Sequence, residues 1–424
     1  MDKPTVIIGG GIIGLFSAYY LVESGETNIV ILDKSAGTEG CSFGNAGMIV
    51  PSHFIPLASP GIIAKGIKWM FDSTSPFYLK PRFNIDLIRW GLAFYKNANA
   101  KFVEKSAPRL RDLSLLSKNL YGKLNTDKPF EFNYHEKGLL LYCMSSEALH
   151  EEVETVHYAN KLGLKASELS LTEIKALEPN LDFKGKGAVY YPGDAHLNPR
   201  LLSENLKTYL VDKGVKIIAN ADIQKIQTDR DKISKLIFNS DGKSEDISPK
   251  TIILAAGAWS QSLAKMLKIN LPMQAGKGYS IENTQTSENK FTIPSILVES
   301  RVAVTPFDNN MVRFGGTMEL AGLNHKINLN RVKGITQALP TFFENFPEPI
   351  IQEDRIWHGL RPCSTDGLHY IGLSKTFSNL YFNTGHAMMG ISLAPASGKI
   401  LSDIIHNKKS EVDLNGFMPE RFAN

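Results

Sequence analysis

The sequence predicts an α/β protein of two intertwined lobes, one built on parallel strands and the other on a mixed, largely antiparallel sheet covered by helices. Three observations predict it. An apolar run at Val6-Ile7-Ile8 enters a glycine-rich turn and a helical pattern. A second strand of the same kind, Ile252-Ile253-Leu254, occurs more than two hundred residues later, and the chain closes with a strand, a turn and an apolar-faced helix. Between these lie long stretches of alternating pattern that the parallel lobe does not use.

The opening unit has a mechanical reading. Val6-Ile7-Ile8 is short and wholly apolar, as a strand buried on both faces must be. Gly9, Gly11 and Gly14 follow in G-x-G-x-x-G spacing. Gly9 permits a sharp turn off the strand, Gly11 offers no Cβ against a pyrophosphate, and Gly14 lets the next helix sit close on the sheet. That helix, "IIGLFSAYYLVES", ends at Gly25, and its N-terminus offers free N–H groups to phosphate. "NIVIL" is the next buried strand, and Asp33 after it stands 19 residues beyond Gly14, where an acid takes the hydroxyls of an adenosine ribose and argues against a 2′-phosphate. The unit is a Rossmann-type dinucleotide site.

FAD fits this site better than NAD, because the nucleotide lobe is interrupted. The chain leaves it after Asp33 through "GTEGCSFGNAGMIVPSHFIPLASPG", residues 37–61, and returns only at "LLSENLKTYLVDKGVKIIANADIQKIQ" and "KTIILAAGAWS". At the C-terminus "NLYFNTGHAMMGISLAPASGKILSDIIHNK" reads as a strand over 379–383, a turn through Thr384-Gly385-His386 and a helix from about Ser392. Ser392 is its expected N-cap, with Pro395 in the first turn where no internal hydrogen bond is lost. Ile400, Leu401, Ile404 and Ile405 give the helix a buried face. Its positive end can face the negative charge that a reduced flavin carries.

Taken together, the Gly9–Asp33 unit, the Ser42–Gly47 loop, "LAAGAWS", "GLRPCSTDGLHYIG" and "NTGHAMMG" resemble the FAD-dependent D-amino-acid oxidase/glycine oxidase superfamily. "GNAGMIVPSHFIPLASPG" and "GIKWMF" are most similar to its bacterial D-amino-acid dehydrogenase small subunits. The resemblance implies that Gly9, Gly11, Ile13 and Gly14 meet the FAD pyrophosphate, that Asp33 with Lys34 meets the adenosine ribose, and that the Ile223 backbone holds the adenine. Ser42, Asn45, Ala46, Gly47 and Met48 would line the ribityl chain and flavin edge; Ala256, Gly257 and Trp259 the nucleotide half; Gly385, His386, Met388, Met389, Gly390 and Ile391 the ring. FAD is expected to be non-covalent.

The resemblance also implies the chemistry: hydride transfer from Cα of a D-amino acid or a cyclic imino acid, such as D-proline or a hydroxyproline isomer, to flavin N5. Arg361 matches the arginine that grips the substrate carboxylate, a task suited to a planar fork that stays charged. Tyr279 in "KGYS" is a candidate to help it, and His53 departs from the subunit pattern and is a candidate contact to a substrate hydroxyl or amine. Gly316 and Thr317 are expected to face the cavity. A dehydrogenase passes its electrons to a quinone or other acceptor; the alternative is a glycine/sarcosine-type oxidase that releases peroxide from oxygen.

The expected cofactor domain takes roughly 1–52, 146–270 and 355–424, and the substrate domain 53–145 and 271–354. The net charge of +4 is too small for a nucleic-acid surface, and Cys41, Cys143 and Cys363 have neither metal-ligand nor disulfide spacing. No metal is expected. With no signal peptide or spanning segment read from the sequence, the expected place is the cytoplasm, with the inner face of the cell membrane as the alternative. "GIIAKGIKWMF" with Lys65, Lys68 and Trp69, and "LIRWGLAFYKN", are the segments expected to touch a membrane surface.

Overall fold

The first strand, Thr5–Ile8, is buried throughout because it is central. It pairs in parallel with Ile29–Leu32 on one side and Thr251–Leu254 on the other. In the computed structural model, which describes residues 2–35, 40–69, 75–80 and 82–422, these strands belong to a six-stranded sheet. Its spatial order is Tyr370–Leu373, Leu380–Thr384, Thr251–Leu254, Thr5–Ile8, Ile29–Leu32, Lys216–Ile218. Only Tyr370–Leu373 runs antiparallel. The expected return of the chain to its opening strand is therefore literal, with Ile7 beside Ile253.

The helix Ile12–Glu23 crosses over from the first strand and ends at Ser24, with Gly25 in the left-handed region at φ +93°. It packs on the C-terminal helix Gly390–Ile405, and Phe16, Ala18, Leu393, Ala394 and Ala396 share one buried core. Gly398 makes the crossing close: a Cβ there would lie 2.5 Å from the Phe16 carbonyl oxygen. A surface hairpin turns at Asp241-Gly242, both at positive φ, between Lys232–Ser240 and Lys243–Ile247.

The second sheet has nine strands and is mixed, mostly antiparallel. Met273–Thr284 lies between Trp357–Ser364 and Met311–Leu320, so three long strands form one wall. Val302–Pro306 and Met311–Leu320 form a hairpin that turns at Asn309 and Asn310, both with left-handed φ near 60°. Strand pairing cuts across the boundaries expected from the sequence. Ser167–Leu169, Gly187–Tyr191 and Trp357–Ser364, assigned there to the cofactor domain, are strands of this second sheet. The helix Ala100–Asp127, assigned to the substrate domain, buries Leu110, Leu113 and Tyr121 in the core of the parallel sheet.

The C-terminal helix corrects one expectation. It begins at Gly390 with Met389 as N-cap, so Ser392 does not cap it; the Ser392 hydroxyl accepts from the Val50 amide at 3.0 Å. Pro395 thus lies beyond the first turn, where a missing N–H does cost a bond: its absent partner is the carbonyl of Ile391, four residues back. That oxygen accepts the Tyr121 hydroxyl at 2.7 Å instead. The side chains of Lys65, Lys68 and Trp69, and residues 70 and 71, lie outside the described residues.

Tyr121 is fully buried, so Tyr121→Phe leaves a buried carbonyl with no donor. We expect a loss of about 1–3 kcal/mol of unfolding free energy, measured by denaturant titration of the FAD-bound protein.

Candidate active site

One cavity of about 2250 Å³ runs between the two sheets, larger than the few hundred to a thousand Å³ of an ordinary small-molecule pocket. The loops of the parallel sheet contribute Gly9, Gly11, Ile13, Asp33, Lys34, Ile223, Ala256, Gly257 and Trp259 to its lining. The long loop contributes Ser42, Asn45, Ala46, Met48 and His53, and the C-terminal turn contributes Gly385, His386, Met388, Met389, Gly390 and Ile391. Arg361, Tyr279, Gly316 and Thr317 enter from the second sheet. Residues from opposite ends of the chain thus face one space.

Gly14 and Gly47 stand behind that surface. A Cβ on Gly14 would come within 1.9 Å of the Gly9 carbonyl oxygen, so its smallness seats the helix on the turn, as the spacing implied. Gly47 has φ +74° and would meet the Leu197 oxygen at 2.2 Å. Gly11 is the opposite case: its nearest neighbour is Ser42 Oγ at 3.7 Å, so a side chain there would project into open space beside the cavity.

Helix ends make the cavity a place for anions. The helices starting at Ala100, Ser146, Leu171 and Pro199 each carry a side-chain N-cap. Those starting at Ile12 and Gly390 carry none on the N-cap residue itself, although the Ile12 amide donates to Ser42 Oγ at 3.0 Å, and both open on the cavity. Uncapped N–H groups need an acceptor, and a phosphate or an anionic ring supplies one. Asp33 is tied by its own loop: Oδ2 accepts from the Gly10 amide and Oδ1 from Ser35 N and Oγ, both at 2.7 Å. The residues present fit a dinucleotide.

The small-residue loop is held by the second sheet. Ser280 Oγ donates to the Gly44 carbonyl at 3.0 Å, and Arg313, paired with Glu282, donates to the Asn45 carbonyl. Gly44 lies flat on an indole; a Cβ would be 1.9 Å from Trp357 Cδ2.

Arg361 sits on the strand Trp357–Ser364 and lines the cavity. Its Nη1 donates to the Thr317 carbonyl, and among the described residues no carboxylate pairs with it. Burial pushes its pKa down, with only the Cys363 and Cys41 thiols acting in the other direction. Two features place the guanidinium. Gly278 on the adjacent strand leaves the room it occupies, since a Cβ there would be 2.1 Å from Nη2. Thr317, a β-branched residue, is held at φ +70° where the pairing with Met273–Thr284 slips register, and its carbonyl meets the arginine there. The next residue, Pro362, accepts the Ala387 amide at 3.0 Å, which joins the arginine strand to the C-terminal turn.

Tyr279 borders the cavity, but its hydroxyl is engaged elsewhere. It donates to Glu319 at 2.9 Å and accepts from the Asn328 amide at 3.1 Å. His386 shares a 2.9 Å hydrogen bond with Ser397 Oγ and stacks on His369 with centroids 4.5 Å apart. Burial and His369 hold it well below the usual imidazole range, so it is neutral. His53 is likewise pushed down, to about 4, by burial and by Arg301. Sequence reasoning missed Gly278, Ser52 and Asp194. Gly278 stands within the quoted "KGYS", where its smallness was the available signal; Asp194 stands in an ordinary turn and carries none.

The chain belongs to the family of FAD dependent oxidoreductases described as DAO, whose model matches residues 5–404. FAD is its cofactor. Among its relatives, a D-amino acid dehydrogenase of Helicobacter pylori is 30% identical over 412 residues, covering 97% of each chain. Another D-amino acid dehydrogenase, from Neisseria meningitidis serogroup C, is 28% identical over 422 residues, covering 98% of this chain and 99% of that one. Glycine oxidase from Geobacillus kaustophilus has the same fold, with a TM-score of 0.77 at 20% identity over 98% of both chains. So does L-proline dehydrogenase from P. horikoshii, at 0.75 and 16%, over 100% of this chain and 98% of that one.

Gly278→Ala fills the space under the guanidinium and should displace it. We expect affinity for a simple carboxylate, read from the absorbance change of bound FAD, to fall about tenfold or more, with FAD content unchanged.

Proposed function

We propose that the protein dehydrogenates a D-amino acid or a cyclic imino acid such as D-proline, and passes the electrons to a quinone or similar acceptor. The observation that carries this reading is Arg361: a half-buried guanidinium on the wall of a cavity that fits FAD, with no carboxylate partner among the described residues. An uncompensated buried charge is costly, and a substrate carboxylate supplies the missing partner. The two relatives named D-amino acid dehydrogenase, each matched over nearly its whole length, support the substrate class and the handedness.

Bound FAD supplies the two-electron acceptor for the hydride leaving Cα. The chain's residues do the rest. Arg361 takes the carboxylate and so directs Cα, a positional effect that reaches about 7–11 kcal/mol in well-held systems. Close by, Ala58, Trp90, Phe94, Leu320 and Cys363 form an apolar cluster, with Leu57 and Met318 against it. Such a wall suits a small apolar or ring side chain and excludes water. The nitrogen loses a proton as Cα loses hydride; the product is an imine, which water converts to the keto acid and ammonia, or which persists when the imine is cyclic.

The helix Ile85–Asn97 supports contact with a membrane surface. Ile85, Ile88, Leu92 and Tyr95 follow one face and are 68, 53, 67 and 71% exposed, with Phe83 fully exposed just before them. Arg89 and Lys96 are exposed on the same helix. Ile88 and Tyr95 also line the cavity, so the apolar stripe borders its mouth, where an apolar acceptor would enter. Among the described residues no helix is long and apolar enough to cross a membrane.

Under anaerobic conditions a D-amino or D-imino acid should bleach the flavin absorbance, and Arg361→Ala should lower kcat/KM at least about 100-fold with FAD retained. Wild-type turnover in that variant would overturn the carboxylate assignment, and stoichiometric peroxide in air would replace the dehydrogenase by an oxidase. Ile85→Glu with Leu92→Glu, both exposed and outside the cavity lining, should reduce co-flotation with anionic lipid vesicles, with turnover of an artificial soluble acceptor preserved.

A further inference from the structure

Behind the cavity wall lies a buried carboxylate that FAD binding and Arg361 leave unexplained. Asp194 is 1% exposed and does not line the cavity. It is carried there by a two-stranded pairing of Met48–Ile49 with Ala195–His196, which sets the Asp194 turn beside the start of the long loop. Its Oδ1 accepts the Ser52 amide at 3.2 Å and its Oδ2 accepts the Ser52 hydroxyl in a short hydrogen bond. Ser52 Oγ in turn lies 3.1 Å from His53 Nδ1. His53 lines the cavity, and its Nε2 makes no hydrogen bond with any described residue.

The donors and acceptors in this chain leave one arrangement. An ionised carboxylate only accepts, so the single hydroxyl proton of Ser52 points to Asp194. The oxygen then faces His53 with a lone pair, and Nδ1 must carry the ring proton. A neutral imidazole protonated at Nδ1 presents Nε2 as an acceptor. We propose that Asp194, acting through Ser52, fixes His53 in the tautomer whose bare Nε2 accepts an N–H from the substrate nitrogen. The contact to substrate rests on the amino-acid reading above; the tautomer does not. Asp194 is therefore a positioning residue, and the site prefers substrates whose nitrogen still bears hydrogen.

The charges around the relay agree. Burial keeps the His53 ring neutral, and Arg301 facing it acts in the same direction, so no imidazolium repels a substrate ammonium. Around Asp194 stand Lys118 on the helix Ala100–Asp127, Tyr134, and Tyr190 and Tyr191 on the neighbouring strand. Burial raises Asp194 to about 7, partly offset by its two bonds from Ser52 and by Lys118. Above that pH the carboxylate accepts and the relay runs as described. Below it the acid can donate to Ser52, the hydroxyl can turn to His53, and the proton moves to Nε2. Activity should therefore rise with pH through a midpoint near 7.

The test is nitrogen NMR of the FAD-bound enzyme labelled with 15N-histidine at pH 8.5 to 9 (an order-of-magnitude choice, roughly two units above the Asp194 midpoint), with His53→Gln identifying the signals. The wild type should show a protonated Nδ1 and an unprotonated Nε2. Asp194→Asn, whose amide can donate to Ser52, should move the proton to Nε2, lower kcat/KM about tenfold or more, and remove the acidic limb of its pH profile with FAD content unchanged. If that variant does not fold, Ser52→Ala breaks the link and should give a mixture of tautomers. A protonated Nε2 in the wild type, or an unchanged tautomer in the folded variant, overturns the proposal. A correct tautomer with no amino-acid turnover would instead count against the substrate assignment alone.

Discussion

A guanidinium partly withdrawn from water, with no carboxylate partner among the described residues, is an unfavourable arrangement on its own. Arg361 is held in it by the strand geometry around it. The Thr317 carbonyl that receives its proton belongs to a residue in left-handed backbone, and the flat space it lies in exists because Gly278 has no side chain. Both features sit at one register slip in the central strands of the second sheet. Local strain and a missing methyl group are kept where an ion has to be presented. In the proposed function an incoming carboxylate restores the free energy that the charge lacks in the resting protein.

The same strand explains how the two lobes stay in register. Arg361 is followed by Pro362 and Cys363, and these meet Ala387 and His386 in backbone contact. His386 begins the turn from which the C-terminal helix points its uncapped end into the cavity. The guanidinium and the uncapped helix end are thereby a few backbone bonds apart. The helix in turn lies against the glycine helix through Gly398, and against Tyr121, whose hydroxyl takes over the carbonyl that Pro395 leaves free. Each of the two uncapped helices is thus fixed by close packing where a capping side chain would otherwise hold its end.

Much of the cofactor lobe was legible in the sequence, because its constraints are local. A buried parallel strand must be apolar, a phosphate turn must be glycine, and their order along the chain is read directly. Two things were not legible. The helix start at Gly390 was displaced to Ser392 because a serine before an apolar run carries the signature of a cap, whereas its hydroxyl serves the Val50 amide, 342 residues away in the chain. Strand partners were hidden for a similar reason: Gly187–Tyr191 joins the second sheet by pairing with Leu139–Cys143, Ser167–Leu169 by pairing with Gly187–Tyr191, and composition carries no trace of partner choice. Tyr279 shows the limit within the site itself, since its hydroxyl is tied to Glu319 by a contact between strands rather than by any motif.

Burial acts on the two basic side chains of the site in the same direction and with opposite results. It lowers the pKa of Arg361 and of His53 alike. The guanidinium starts so far above neutrality that it stays charged, while the imidazole starts near it and is discharged. In the proposed function one wall therefore holds a cation for a carboxylate and a neutral acceptor for a nitrogen. An amino acid brings both complements, a negative head and an N–H on the same carbon. Two arginines, or two histidines, in these positions would lose that distinction, which is why the residue types matter as much as their places.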